Sequence, residues 1–205
     1  IIATIPAIMI LVVGVPKKFV KQAIFLVALA AIPMGAYLTL HGDGFRLNRI
    51  SVWLNPEDNA ADGGFQVLQG LYAIGSGGLF GKGLGQSAQK LGFVPESAND
   101  MIFSIVCEEL GLFGAVAIIV LFAFIIRRMR IIAGNAPDLF SSLLVVGVMA
   151  QISVQVVLNI AVVTNSIPNT GVSLPFISYG GTSILFLLYE MSLVLAVSKQ
   201  IKRIQ

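Results

Sequence analysis

Residues 139–163 read LFSSLLVVGVMAQISVQVVLNIAVV and contain no Asp, Glu, Lys or Arg. The uncharged stretch continues as far as Tyr189. A helix needs only about 20 apolar residues to cross the hydrocarbon of a bilayer, so this stretch holds one span and the start of another. Working outward, further apolar segments stand at Ile1–Val15, Gln22–Leu40, Met101–Ile126 and Thr182–Ser198. The 205-residue chain is 57% hydrophobic and 11% charged, whereas a soluble domain carries about a quarter charged residues. Lipid offers backbone groups no hydrogen-bonding partner, so segments of this kind span as helices. The expected fold class is all-α, a polytopic transmembrane helix bundle. Ile1–Val15 is short and has neither a start Met nor a signal n-region, so it is expected to be a partial span cut from a larger protein.

The cations set the orientation. Lys17, Lys18 and Lys21 follow the first segment, Arg127, Arg128 and Arg130 follow the third, and Lys199, Lys202 and Arg203 close the chain. By the positive-inside rule these three clusters face the cytoplasm. The connections at about 41–100 and 164–181 then face outward. The net charge of +3 is topological punctuation, without the interleaved aromatics that stack bases. No nucleic-acid partner is expected. The single cysteine, Cys107, falls inside a span and reads as a small core hydrophobe.

A loop of about sixty residues without structure of its own is unusual, and points to function or to short interfacial elements. Phe65, Leu68, Leu71 and Tyr72 recur at helical spacing and predict an amphipathic helix at the membrane surface. The glycine run from Gly75 to Gly85 has the flexibility to bring backbone N–H groups to a phosphate. It is no P-loop, because Gly81-Lys82 is followed by Gly83 where Ser or Thr is required. Asp100 and Asn99 are both placed to cap the span that begins at Met101. His41 reads as a plain loop residue and Trp53 as an interface anchor. Pro168, Gly171, Pro175, Gly180 and Gly181 exclude a continuous helix through the second outer loop and predict a re-entrant turn.

The run Gly81-Lys-Gly-Leu-Gly-Gln-Ser-Ala-Gln-Lys-Leu-Gly-Phe-Val-Pro-Glu96, with Asn99-Asp100-Met-Ile-Phe103 and Glu108-Glu109-Leu-Gly111, resembles the signature loop of the SEDS proteins, the FtsW, RodA and SpoVE group. A second element, Ile167-Pro-Asn-Thr-Gly-Val-Ser-Leu-Pro-Phe-Ile-Ser-Tyr-Gly-Gly-Thr-Ser183, is similar to that family's second signature. The resemblance covers essentially residues 1–205, as the C-terminal part of a single membrane domain. Ser97-Ala98-Asn99 departs from the Ala-His-Thr of many members. The spelling around Ser87 and Lys90 is closer to the division and sporulation branch than to the elongation branch.

The resemblance implies a multi-pass protein of the bacterial cytoplasmic membrane, a peptidoglycan glycosyltransferase that polymerises lipid II on the outer face. It implies Asp100 as the catalytic acid. Arg46, Arg49, Lys82 and Lys90 are then the available partners for the lipid diphosphate, and Glu96, Ser178 and Tyr179 are expected at the substrate. Glu108 and Glu109, about 12 Å into their span, are expected to order the helix or to hold a divalent cation such as Mg or Mn. For Glu190 a structural part is expected first. Asn165 is a further candidate for the lipid path. The implied partners are a class B penicillin-binding protein acting as transpeptidase, other divisome proteins and membrane lipid. Two alternatives stand beside the polymerase: a lipid II flippase, which needs charges deep in the spans, and a division scaffold that recruits the transpeptidase.

Overall fold

The computed structural model describes residues 29, 45–59, 63–87, 89 and 99–204. The expected span 1–15, and all but residue 29 of the expected span 22–40, lie outside the described residues. So do His41, Lys90 and Glu96. Among the described residues five helices can be delimited: α1, Phe45–Leu54; α2, Gly64–Gly77; α3, Ile102–Gly134; α4, Leu139–Val163; and α5, Gly181–Ile204. No strand occurs among the described residues. Three of the helices, α3, α4 and α5, are long and apolar enough to cross a membrane.

The expected span 139–163 is α4 residue for residue. Its start is fixed by Asp138, whose carboxylate accepts from the Ser141 backbone N–H at 2.9 Å and from the Ser141 hydroxyl at 2.6 Å. These bonds satisfy donors that a helix start otherwise leaves orphaned, and they hold the Asp138 carboxyl below its ordinary pKa. α3 continues past the expected end at Ile126, through the arginines to Gly134. At about 1.5 Å per residue it is far longer than the roughly 30 Å of hydrocarbon, so its last turns project beyond it.

α4 is the most enclosed of the three long helices. Its buried residues Ser141, Val145, Val148, Ile152, Val156, Asn159 and Val163 recur every three or four positions and form one stripe. Facing it, α3 buries Ala115, Phe122, Met129 and Ala133, and α5 contributes Leu187, Val194 and Val197. Spacings of seven and of three or four are those of helices packed nearly antiparallel with interlocking side chains. Because lipid is as apolar as these side chains, close packing holds the contact more than expulsion from water does. The opposite faces, with Val116, Val120 and Phe124 on α3 and Leu185, Phe186 and Leu195 on α5, stay exposed.

Candidate active site at the outer ends of the helices

The site is built around a break in α3. Gly111 has φ 66° and ψ −164°, values outside any helix. Such a break strips the preceding carbonyls and the following N–H groups of their helical partners, and at membrane depth no water replaces them. The chain after α2 supplies both sets. Lys82 N–H donates to the Glu108 carbonyl and Gly83 N–H to that of Glu109, each at 2.9 Å. Leu112 N–H donates to Gly78 O at 3.0 Å and Phe113 N–H to Leu79 O at 3.3 Å. The approach is possible only without side chains: a Cβ on Gly81 would lie 2.2 Å from Glu109 O, and one on Gly77 1.9 Å from Cys107 O.

Two expectations are corrected here. The N–H groups of Gly81, Lys82 and Gly83 are all engaged with backbone carbonyls, so this part of the glycine run caps a helix break and is not a phosphate cradle. α2 is also more than a surface helix. It descends beside α3 in the same direction, with Gly70 against Met101 and Gly77 against Cys107 and Glu108, about 10 Å further along. Its buried face is Gly64, Val67, Gly70, Ala73 and Gly77, while Phe65 and Tyr72 are exposed. The small-residue stripe, not the large apolar one, faces the protein.

Glu108 fastens this arrangement. Its side chain is fully buried. Oε1 accepts from Lys82 Nζ at 2.7 Å and from Ser76 Oγ at 3.4 Å, and Ser87 Oγ donates to Oε2. Lys82 is therefore committed to a buried carboxylate, where the sequence suggested a diphosphate. The same ammonium makes Glu108 a poor cation ligand, since it already neutralises the charge a divalent ion would need. Among the described residues no group of three or more His, Cys, Asp or Glu is placed to hold a metal. Glu109 is half-buried beside it. Glu190 pairs within the bundle, accepting from Gln151 Nε2 at 3.0 Å on both oxygens.

Asp100 lies in the turn that leads into α3 and is half-buried. The N-cap position is Met101, without any side-chain capping bond. Neither Asp100 nor Asn99 caps the helix, so the expected cap is corrected and the Asp100 carboxylate is not consumed by it. Backbone contacts hold the turn instead. Asn159 Nδ2 donates to Asp100 O at 2.8 Å and to Val172 O at 2.7 Å. Ser178 Oγ donates to Asn99 O and accepts from Leu174 N–H, both at 2.7 Å. A Cβ added to Gly171, which has φ +65°, would stand 3.6 Å from Asp100 Oδ2, an ordinary contact distance, so this turn of the second outer loop neighbours the carboxylate.

The second outer loop folds back into the bundle as expected, with Leu174, Pro175 and Ser178 buried. α1 braces it from outside. Trp53 Nε1 donates to Asn165 O at 2.9 Å while Asn165 Nδ2 returns a bond to Trp53 O at 3.3 Å. Arg49 donates to Asn169 O at 3.0 Å. Trp53 thus joins two outer loops, and Asn165 is a strut rather than a wall of a lipid path. Of the expected site residues, Ser178 bonds the residue before Asp100, Arg49 reaches the second outer loop at Asn169, and Tyr179 follows Ser178 in that loop. Tyr179 is 79% exposed at the rim, and Ser178 is a buried tie. Arg46 lies in α1, its side chain outside the described residues, as are Lys90 and Glu96. Asn159 and Gly111 were missed. An amide inside an uncharged span was the available signal for Asn159.

The FtsW, RodA and SpoVE family, described as cell cycle protein, matches residues 1–203. Stage V sporulation protein E of Bacillus subtilis (strain 168) is 48% identical over 155 residues, which are 76% of this chain and 42% of that protein. The probable peptidoglycan glycosyltransferase FtsW of Trichlorobacter lovleyi is 38% identical over 201 residues, 98% of this chain and 51% of that one. A solved chain described under "Structural coordination of polymerization and crosslinking by a peptidoglycan synthase complex" superposes with a TM-score of 0.70 at 28% identity, covering 94% of this chain and 52% of that one. The chain spans about half the length of the curated relatives it matches.

Proposed function

We propose that this chain, which belongs to the FtsW, RodA and SpoVE family of cell cycle proteins, carries the catalytic base of a peptidoglycan glycosyltransferase acting on lipid II at the outer face of the bacterial cytoplasmic membrane. The observation that carries the reading is the place of Asp100. Its carboxylate is left out of the helix cap, at the junction where both outer loops and the ends of α3 and α4 meet.

In this reading Asp100 takes the proton of an acceptor sugar hydroxyl as that oxygen attacks the anomeric carbon of the donor. The new C–O bond forms with inversion as the bond to the lipid diphosphate breaks, and the diphosphate leaves with the electron pair. It leaves already charged, so it needs cations more than a proton, and one carboxylate suffices where glycoside hydrolysis uses two. Arg49, Arg46 and Lys90 are the outer cations proposed to meet that charge. Lys82 serves indirectly, by securing Glu108 and with it the loop beneath the site. A class B penicillin-binding protein is the proposed partner, in line with a relative that belongs to a synthase complex joining polymerisation to crosslinking.

The flippase alternative needs charges able to act deep in the spans. Glu108 and Glu190 are each engaged with protein partners, which favours polymerisation. The full-length protein with Asp100→Asn, reconstituted in proteoliposomes, separates the two. Loss of glycan chains with unchanged lipid II translocation supports the proposal, and unchanged chain formation removes it.

A further inference from the structure

Asn159 stands about one turn from the outer end of α4, in the stripe that packs against α3, and its side chain is fully buried. Its single amide nitrogen spends both N–H groups on backbone carbonyls from two different places, Asp100 and Val172. Neither carbonyl belongs to a helix. The first turn of α3 closes through Ser104 N–H and Met101 O at 3.0 Å, leaving Asp100 O outside the ladder, and Val172 lies in the irregular loop. Buried carbonyls of this kind require a partner. The remaining polar atom, Asn159 Oδ1, is buried with no hydrogen-bond partner among the described residues. The amide orientation is thus fixed by its two donors, at the expense of its acceptor.

We infer that Asn159 is the positioning residue for Asp100. One nitrogen ties residue 100 to the loop one residue beyond Gly171, the glycine where an added Cβ would just come into contact with the Asp100 carboxylate. The catalytic carboxylate is thereby presented at a fixed place relative to both outer loops. This role rests on the reading of Asp100 as the base. Leu at this position keeps most of the volume and removes both donors. Asp would set a carboxylate against two carbonyl oxygens.

The test uses the full-length protein with its membrane partner in proteoliposomes, comparing Asn159→Leu, Asn159→Ala, Asp100→Asn, the double variant Asp100→Asn with Asn159→Leu, and Val156→Ala from the same stripe. Misplacement of a catalytic group by about 1 Å costs on the order of 100-fold in rate, so kcat in Asn159→Leu is expected to fall by about that factor. KM for lipid II should stay within about twofold, because substrate binding is not what the bond supports. Val156→Ala, a packing control from the same stripe, lowers the melting temperature while retaining kcat, and Asn159→Leu adds no further loss to Asp100→Asn. If Asn159→Leu does not fold, Asn159→Ala carries the same expectation. The inference is overturned if the Asn159 variants keep kcat within about threefold, if Val156→Ala lowers kcat equally, or if the double variant shows additive loss. Should Asp100→Asn itself remain active, the base reading fails first; an inactive Asp100→Asn beside an active Asn159→Leu removes only the positioning role.

Discussion

Gly81 and Gly111 meet backbone to backbone: a Cβ on Gly111 would stand 2.4 Å from the Gly81 nitrogen, and one on Gly81 2.6 Å from the Gly111 nitrogen. This contact lets a loop plug a broken transmembrane helix. Gly111→Ala has both a left-handed φ of +66° and a backbone overlap to overcome. The conformation alone costs roughly 1–3 kcal/mol, and the overlap adds to it. The variant is expected to melt well below the parent in detergent, with Gly134→Ala, at a site with nothing within 4 Å of the new Cβ, as the neutral control. A Gly111→Ala protein that melts with the parent contradicts the plug.

The Lys82 to Glu108 pair is asymmetric, because the Glu108 side chain is wholly buried and that of Lys82 is 39% exposed. Removing the cation strands a buried carboxylate, and breaking such pairs costs about 3–5 kcal/mol. Removing the charge on Glu108 leaves a partly exposed ammonium, which is less costly to strand than a wholly buried carboxylate. Lys82→Met is therefore expected to destabilise more than Glu108→Gln, with the double variant recovering part of the loss. Thermal unfolding of the three proteins checks the order. Equal effects would mean the pair carries no buried charge.

Trp53 ties α1 to the second outer loop through its indole N–H. Trp53→Phe keeps an aromatic ring, though a smaller one, and removes the donor, worth about 1 kcal/mol. The expected outcome is faster amide exchange around residues 164–171 with little change in α4 or α5, read by hydrogen exchange.

Asp138 gives a prediction in pH. Its carboxyl is lowered from its ordinary 3.8, chiefly by the Ser141 hydroxyl and N–H. A group whose pKa is lower folded than unfolded contributes stability that is full above the unfolded value and is lost as the pH falls through the folded one. The melting-temperature gap between the parent and Asp138→Ala is therefore expected to be constant from neutral pH down to about 5 and to narrow below the ordinary value of 3.8. A gap that widens on acidification contradicts the cap.

Much of the fold was legible because its signals are local. The start of α4 follows from an uncharged run that begins just after Asp138, and the arginines after Ile126 mark where α3 leaves the hydrocarbon, although the helix itself runs on to Gly134. The break at Gly111 was not legible, since a lone glycine in a span reads as tolerated until the loop that fills it, some thirty residues upstream, is placed beside it. Lys82 was misassigned for the same reason: its partner is 26 residues away and buried. In α2 the large apolar side chains dominated the periodicity, although the close approach to α3 selects glycine and alanine. Asp100 stood out through its motif, while the residues that hold it, Asn159 and Ser178, bind backbone, and backbone contacts leave little trace in side-chain pattern.

The most direct measurement is single-turnover glycan-chain formation from lipid II by the full-length protein and its Asp100→Asn variant, at matched membrane insertion. General-base catalysis contributes roughly 10²–10⁴-fold, and the account predicts a loss in that range with lipid II binding retained. A variant that forms chains at the parent's rate would contradict it.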